Sequence, residues 1–166
     1  MAGMWNIWKA RCRLIFKEEL AGFGVRAHTC TNEHNLKNLV DEWRSQNFLV
    51  TGTVCDVTSR TDREKLMEEV GVIFEGKLDI LVNNVGGSGA KPAIEITAED
   101  YSSSMTVNFE ACFHLSQLAY PLLKASGRGN VISISSIAGI GGIPGFAHYG
   151  SAKGTSLQIW SSQYTD

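Results

Sequence analysis

Apolar positions along the chain follow two spacings, one typical of strands and one typical of helices. Short apolar runs predict four strands, at Val25–Thr29, Phe48–Val54, Leu78–Val82 and Val131–Ser135. Apolar residues at helical spacing predict four helices, around Leu36–Trp43, around Leu66–Phe74, from Thr97 to about Leu122, and from about His148 to Trp160. Strands that alternate with helices predict an α/β fold with a parallel sheet and helices on both faces. Because no internal linker or repeat interrupts this pattern, residues 1–166 are expected to form a single domain.

Two of these elements carry additional signals. The run Leu78–Val82 is broken only by Asp79, as expected for a strand that is buried on both faces of a parallel sheet. Thr97 is followed three residues later by Asp100, which predicts a capping box at the start of the long helix.

The N-terminal segment shows a different pattern. Its apolar residues repeat at helical spacing: Trp5, Trp8, Cys12, Ile15, Phe16, Leu20 and Phe23. This spacing predicts one extended amphipathic helix. The first seventeen residues contain four basic residues and no acid, which resembles a weak transit signal, but they lack Ser and continue into the helical pattern, so we expect a cytoplasmic protein.

Composition excludes several classes of function. A net charge of −2 without a basic stripe argues against a nucleic-acid partner. No apolar run approaches the roughly 20 residues that a membrane span needs, so no membrane partner is expected. The four cysteines form no Cys-x-x-Cys pair and have no histidine at metal-binding spacing, which predicts free thiols and no metal site.

Polar residues follow three of the predicted strands. Asp56 follows the second strand, Asn83-Asn84-Val85-Gly86 the third, and Ser135-Ser136 the fourth. Parallel α/β sheets bind their ligands outside the carboxyl ends of their strands. These residues therefore mark the expected site.

Tyr149 and Lys153 form the strongest chemical signal in the chain. Residues four apart lie on one face of a helix, so the phenol and the ammonium group address the same site. A nearby cation favours the phenolate form, and a tyrosine in that setting can exchange a proton with a carbonyl/alcohol pair. Ser136 can donate a hydrogen bond to the same oxygen. The pair alone would also fit an ordinary surface helix, but its position after a strand that ends in Ser-Ser favours chemistry.

Together these elements resemble the short-chain dehydrogenase/reductase family. The segment Asn83–Gly86 is similar to the family's Asn-Asn-Ala-Gly signature, Asn108 matches its helix asparagine, and Ser136 precedes Tyr149 by thirteen residues as in the family pattern. Other stretches, between about Glu18 and Gln158, resemble the plant tropinone-reductase-like branch: Glu19–Gly24, Val54–Val57, Arg63–Met67 and Pro121–Gly127.

The resemblance implies a Rossmann-type doubly wound sheet and an NADP(H)-dependent oxidoreductase that interconverts a small-molecule ketone and a secondary alcohol. It implies that Tyr149 is the general acid/base and that Ser136 positions the reacting oxygen. It also implies that Lys153 assists Tyr149 and contacts the nicotinamide ribose, and that Asn108 holds a water in a proton relay.

The resemblance also implies a set of cofactor contacts: Asp56, Val57, Asn83, Gly86, Tyr149 and Lys153. Asp56 would contact the adenine, and Asn83 and Gly86 would line the cofactor's sugar. The residue pattern alone leaves other interpretations open, with Asp56 as a turn residue and Asn108 as a buried polar helix residue. NAD(H) also stays open, because Cys30-Thr31-Asn32 offers neither an acid for a ribose hydroxyl nor an arginine for a 2′-phosphate.

The chain departs from the family pattern at both ends. The family opens with a strand and a Thr-Gly-x-x-x-Gly-x-Gly loop that approaches the cofactor phosphates, and the aligned glycine positions here are Ile7, Arg11 and Arg13. Only thirteen residues follow Lys153. We therefore expect a truncated dinucleotide-binding domain that lacks the first strand, the glycine loop and the last strands. The first strand would lie between the strands at Val25–Thr29 and Leu78–Val82, so both would lose backbone partners.

These departures give two competing hypotheses about function. The first is the oxidoreductase described above, with weak cofactor binding because the phosphate loop is lacking. The second is a catalytically inactive relative that acts as an interaction or dimerisation protein. In either case the resemblance implies a homo-oligomer formed through the helices near 100–125 and 149–160.

Overall fold

The structure is a computed structural model that describes the backbone of residues 13–19, 22–28 and 33–162 and the side chains of residues 33–158. Its strands are β1 (Arg13–Glu19), β2 (Gly22–His28), β3 (Ile80–Asn83) and β4 (Asn130–Ser133). Its α-helices are α1 (Glu33–Ser45), α2 (Arg60–Ile73), α3 (Ala98–Met105), α4 (Ala111–Ser126) and α5 (Ala147–Ser162). A wide π-helical turn (Thr106–Glu110) joins α3 to α4, and short 3₁₀ turns span Ala93–Glu95 and Ile137–Gly139.

Most of the predicted elements are confirmed. Strands β2, β3 and β4 lie where the apolar runs predict them, and α1, α2 and α5 match the helical spacing; Thr29 lies outside the described residues. The long predicted helix is present as α3, the π-turn and α4. Its capping box is also present: the Thr97 hydroxyl accepts from the Asp100 amide at 3.2 Å, and the Asp100 carboxylate accepts from the Thr97 amide at 3.0 Å.

The sheet has the order β2-β1-β3-β4. Strands β3 and β4 are parallel, whereas β1 is antiparallel to both of its neighbours. The helix predicted across the N-terminal segment is therefore wrong over Arg13–Glu19 and at Gly22 and Phe23, which lie in β2. Residues 5–12, 20 and 21 lie outside the described residues. The expected gap between β2 and β3 is also wrong, because β1 occupies it. A strand at this position gives backbone partners to both neighbours, which a helix could not do, and this tertiary requirement overrides the helical spacing.

The strand predicted at Phe48–Val54 is also not present. The segment has no regular secondary structure and pairs with no strand among the described residues. Instead it packs on α1, where Val50 is buried with Leu36 and Val40. A Cβ on Gly52 would lie 2.8 Å from Leu36 Cδ1, so the chain passes close to the helix. The β-rich composition of this run therefore reflects contact with a helix rather than a place in the sheet.

The main core holds the site's elements in place. Helix α2 packs on α4, and α4 lies against β3 and β4. The buried residues of this core come from α2, the turn after it, β3 and α4: Leu66, Val70, Phe74, Leu78, Leu81, Ala111, Leu115, Ala119 and Leu123. Cys55 and Cys112 are free thiols, as predicted, while Cys12 and Cys30 lie outside the described residues. No helix in the described part of the chain is long and apolar enough to cross a membrane.

Asp79 has a partner that explains its place in an apolar run. Arg128 holds its carboxylate with two bonds, Nε to Oδ1 at 3.2 Å and a terminal nitrogen to Oδ2 at 3.0 Å. The Asp79 carbonyl also accepts from the Asn130 amide at 2.7 Å. These bonds join the start of β3 to the start of β4. They lie at the amino ends of the two strands, opposite the carboxyl ends where the polar cluster described next is found.

Candidate active site

Most of the polar residues predicted from the sequence lie near the ends of β3 and β4, with Asp56 as the exception. The loop after β3 carries Gly86 and Gly87, and the segment after β4 carries Ser135 and Ser136. The π-turn and the first turns of α5 contact each other above these ends. Parallel strands place their carboxyl ends at one edge of the sheet, which is why residues distant in sequence meet here.

Asn108 lies in the π-turn and connects it to the loop after β3. The side chain is 2 % exposed. Its Oδ1 accepts from the Gly87 amide at 2.9 Å, and its Nδ2 donates to the carbonyl oxygens of Gly87 at 3.1 Å and Ser104 at 2.9 Å. Its backbone carbonyl accepts from the Ser156 hydroxyl on α5 at 3.2 Å. Asn108 thus fixes three elements relative to one another, and π-turns within helices are often found at functional sites.

Lys153 is a buried cation beside Asn108 and Gly86. Its side chain is on α5, and its Nζ donates to the carbonyl oxygen of Ile134 at 3.0 Å. A Cβ on Gly86 would lie 2.7 Å from Asn108 Oδ1 and 2.8 Å from Lys153 Nζ. Only glycine leaves room for this approach, so Gly86, Asn108 and Lys153 form one tightly packed group.

Tyr149 precedes Lys153 by one helical turn, as predicted. The Lys153 ammonium lies 5.8 Å from the centroid of the Tyr149 ring. The ring also meets the Phe146 ring edge-on, with 6.2 Å between centroids. Tyr149 is half-buried, so part of the residue stays accessible to solvent.

Ser136 begins the 3₁₀ turn that packs against α5. Its Oγ accepts from the Ala138 amide at 3.2 Å. A Cβ on Gly150 would lie 2.5 Å from the Ala138 carbonyl oxygen, and a Cβ on Gly139 would lie 2.9 Å from the Gly154 amide nitrogen. Glycines on both sides therefore let the serine turn lie directly on the helix that carries Tyr149 and Lys153.

Asp56 and Val57 lie apart from this group, in the loop that leads into α2. The Asp56 Oδ1 accepts from the Thr58 amide at 2.9 Å and from the Thr58 hydroxyl at 2.8 Å. These contacts are those of a turn residue, the alternative that the sequence left open. Val57 is buried, and its carbonyl oxygen accepts from Arg63.

Asn83 carries a buried acceptor with no partner among the described residues, its Oδ1. Its Nδ2 donates to the Ser116 hydroxyl at 3.0 Å. Asn83, Asn108 and Lys153 also border a cavity of about 140 Å³. Buried acceptors in native proteins are usually satisfied, so the open oxygen beside a cavity with several polar lining residues fits a site for water or a ligand donor.

The residues present fit one end of a dinucleotide better than its middle. The close approach at Gly86 and the open oxygen of Asn83 suit a sugar next to Lys153. The phosphates have no comparable cradle among the described residues, because β1 runs opposite to β3 and leads into β2 rather than into a helix N-terminus.

Several residues of the site were not predicted from the sequence. Gly150 and Gly154 are spaced by four residues, and that spacing could have indicated a close contact along one helix face. Ser88 and His148 are hydrogen-bonded, with 2.5 Å between Oγ and Nε2, and they tie the loop after β3 to the start of α5. No sequence signal connects these two residues, which are sixty positions apart.

Comparison with known proteins agrees with this arrangement. The family model described as short chain dehydrogenase matches residues 12–163. A tropinone reductase homolog of Arabidopsis thaliana is 53% identical over 143 residues, which cover 86% of this chain and 53% of that protein. Senescence-associated protein 13 of the same plant is 52% identical over 143 residues, with the same coverage of both chains. The chain therefore spans about half the length of the curated relatives it matches.

Two solved structures have a similar fold. A 7 alpha-hydroxysteroid dehydrogenase in complex with NADH and 7-oxo glycochenodeoxycholic acid aligns with a TM-score of 0.74 and 30% identity, over 79% of this chain and 51% of that chain. An NAD⁺-bound xylitol dehydrogenase aligns with a TM-score of 0.73 and 28% identity, over 79% and 50% of the two chains. The fold is thus an incomplete Rossmann-type α/β fold, and the chain belongs to the short-chain dehydrogenase family of oxidoreductases.

Proposed function

We propose that the protein is an NADP(H)-dependent oxidoreductase that interconverts a small-molecule ketone and a secondary alcohol. The observation that carries this proposal is the packing of Lys153 beside Tyr149, Asn108 and Gly86 at the carboxyl ends of β3 and β4. A lysine is rarely buried without a role, because the charged group loses its hydration. Here its carbonyl partner and the nearby phenol compensate for that loss.

Each catalytic residue has a specific task in the proposed reaction. In the reducing direction the Tyr149 hydroxyl donates its proton to the carbonyl oxygen of the substrate, and in the oxidising direction it takes the proton back. Ser136 Oγ donates a hydrogen bond to the same oxygen. Lys153 stabilises the deprotonated phenol between these steps. When bound, the nicotinamide supplies the hydride that adds to the carbonyl carbon.

The cavity beside Lys153 supports a proton path away from Tyr149. Its volume of about 140 Å³ leaves room for a few waters, since each takes up roughly 30 Å³ in the liquid. Asn108 borders the cavity, and we assign it the task of holding such a water. An ammonium group carries three donors, so Lys153 can bind the Ile134 carbonyl and still address other acceptors.

Cofactor contacts are proposed at two places. Asn83, Gly86, Tyr149 and Lys153 would hold the nicotinamide ribose, and Asp56 with Val57 would contact the adenine. NADP(H) is proposed from the resemblance to the tropinone-reductase-like branch, whereas the two similar structures contain NADH and NAD⁺. A direct comparison of the two dinucleotides therefore belongs to the test.

Pairing of two copies through α3, α4 and α5 is part of the same proposal. Phe109 and Phe113 stack on each other with 6.0 Å between ring centroids, and neither ring is fully buried. Leu157 on α5 is 37 % exposed. These apolar side chains support an oligomer through the helices near 100–125 and 149–160, which light scattering of the purified chain would measure.

The test combines cofactor binding and turnover. The purified chain is titrated with NADPH and with NADH, and bound dinucleotide is followed by its fluorescence. Oxidation of NADPH is then measured with a panel of cyclic ketones. We expect Tyr149→Phe to lower the rate by about a hundredfold or more, because the proton donor is lost, while the affinity for NADPH changes little.

Tyr120→Phe is the matched control, since Tyr120 is 61 % exposed on α4. It should leave both the rate and the affinity unchanged. The proposal fails if neither dinucleotide binds, or if Tyr149→Phe keeps the rate of the unmodified chain.

A further inference from the structure

Arg63 is a buried cation that the proposed reaction does not use. Its side chain is 1 % exposed, and its nitrogens point to three different parts of the chain. One terminal nitrogen donates to the Val57 carbonyl oxygen at 2.7 Å, Nε donates to His114 Nδ1 at 3.0 Å, and the other terminal nitrogen donates to Glu110 Oε1 at 2.9 Å. Arg63 therefore joins the loop before α2 to the π-turn and to α4.

Glu110 links this cluster to the backbone that presents Asn108. It is the last residue of the π-turn, and its second carboxylate oxygen accepts from the hydroxyl of Thr106, the first residue of the turn, at 3.4 Å. One carboxylate thus contacts both ends of the turn and the Arg63 guanidinium. Asn108 lies midway between those ends. A shift of the Arg63–Glu110 pair would therefore change the position of the Asn108 side chain.

His114 is a neutral ring that accepts the hydrogen bond from Arg63 Nε. Burial lowers the pKa of His114, and the charge of Arg63 lowers it further. A neutral imidazole has one nitrogen without a hydrogen, and Nδ1 can then accept the bond from Arg63 Nε. The guanidinium is therefore satisfied in each of the three directions, as a buried charge requires.

From this geometry we infer that Arg63 is a positioning residue, which fixes the Asp56–Val57 loop and the Asn108 turn in one mutual arrangement. The functional value of this arrangement rests on the proposed function, in which the Asp56–Val57 loop contacts the adenine and Asn108 holds a water beside Lys153. A planar guanidinium can serve three acceptors in different directions, whereas a lysine ammonium cannot reproduce that fork.

Amide hydrogen exchange, measured residue by residue on the purified chain, tests the inference without any cofactor. The Gly87 amide reports on Asn108, because it donates to Asn108 Oδ1, and the Thr58 amide reports on the other loop, because it donates to Asp56 Oδ1. The Ile134 amide donates to the Asn83 carbonyl at the ends of β3 and β4 and serves as the reference for the sheet.

We expect Arg63→Lys to accelerate exchange at both Gly87 and Thr58 by about tenfold or more, and at Ile134 by less than about twofold. Only the segments that Arg63 holds together would open locally, while the sheet stays closed. Glu110→Gln is the milder variant, since the Glu110 side chain is 55% exposed. It should accelerate exchange at Gly87 alone, because the bond from Arg63 to Val57 is kept.

Arg60→Lys is the matched control on the same helix. Its partner is Glu64 in an exposed pair, so none of the three amides should change. The inference is overturned if Gly87 keeps its rate in both variants, if Arg63→Lys leaves Thr58 unchanged, or if all three amides accelerate equally, which would mean that Arg63 only stabilises the whole fold. A chain that binds no dinucleotide would refute the proposed function but leave this exchange result intact.

Discussion

The carboxyl ends of β3 and β4 and the β1–β2 pair place different demands on the sequence. At the strand ends the site needs particular side chains at particular positions: Asn108 and Lys153 come so close to Gly86 that a Cβ there would lie within 2.8 Å of both. In the β1–β2 pair the sheet needs only backbone donors and acceptors. A strand of either direction meets that need, and β1 meets it while running against β3.

The difference separates what holds the sheet together from what a cofactor would require. A reversed strand closes the hydrogen-bond ladder between β2 and β3. It does not lead into a helix N-terminus at the site, which is the arrangement that binds phosphate in this kind of fold. The fold and the binding site therefore depend on different properties of the same segment of chain.

The largest effect is expected from breaking the ladder itself. In β1, Ile15 is paired with Arg26 on one side and with Leu81 on the other. Ile15→Pro removes a backbone donor in the middle of the sheet, and an unpaired buried group costs about 1–3 kcal/mol, to which the strain of proline in a central strand is added. Urea unfolding would measure the loss. Ile15→Val is the control, and equal stability of the two variants would show that β1 is not a central strand.

A second, smaller effect on activity and stability is expected at the carboxyl ends of β3 and β4. Gly86→Ala places a methyl group within 2.8 Å of Asn108 Oδ1 and Lys153 Nζ. Lys153 can move its flexible end, but Asn108 is held by several hydrogen bonds, so we expect activity to fall by at least about tenfold and stability by about 1–3 kcal/mol.

Gly89→Ala provides the control for this position, because a Cβ there meets nothing within 4 Å. It should keep both the reductase rate and the melting temperature. If Gly86→Ala also keeps both, the packing of Gly86 against Lys153 is looser than the distances indicate.

The ion pair between Asp79 and Arg128 tests the opposite edge of the sheet. Asp79→Asn keeps the shape but removes the charge that Arg128 binds, and we expect a loss of about 1–2 kcal/mol because Asp79 is buried while Arg128 is half exposed. NADPH affinity should not change, since the pair lies away from Lys153. A change in NADPH affinity without a change in the urea midpoint would show that the Asp79–Arg128 pair acts on the site at the carboxyl ends of β3 and β4.

The sequence predicts these regions with unequal success for a physical reason. Helices α2 and α5 and the pairing of Tyr149 with Lys153 follow from local spacing, because the residues that share a helix face are three or four positions apart. The direction of β1 follows from its pairing with β3, which lies more than sixty residues away. The spacing of apolar residues within β1 does not predict that pairing. Local spacing does not predict the Arg63 contacts either, since those with Glu110 and His114 span 47 and 51 residues.

Asp79 and Asp56 illustrate the same limit for single residues. A carboxylate inside an apolar run gives no sign of which cation will face it, and the sequence did not indicate Arg128. For Asp56 the short-range alternative, a turn residue, matches the contacts that its carboxylate makes with Thr58.

The smallest effect is expected from pH, at the loop that follows β3. Hydrogen bonds from the Lys91 side chain and from the Thr97 amide lower the pKa of Asp100 from 3.8 to about 2. The folded state therefore favours the charged carboxylate: this contribution to stability is fully present above pH 3.8 and is lost as the pH falls through 2. Asp100→Asn removes it at every pH. We expect the melting temperature of the unmodified chain to exceed that of Asp100→Asn slightly at neutral pH, with the difference vanishing between pH 4 and 2. Glu99→Gln is the control on the same helical turn, with a carboxyl that lacks Lys91 as a partner. A difference that persists unchanged at pH 2 would show that the hydrogen-bonding shape of Asp100, and not its charge, anchors the loop to α3.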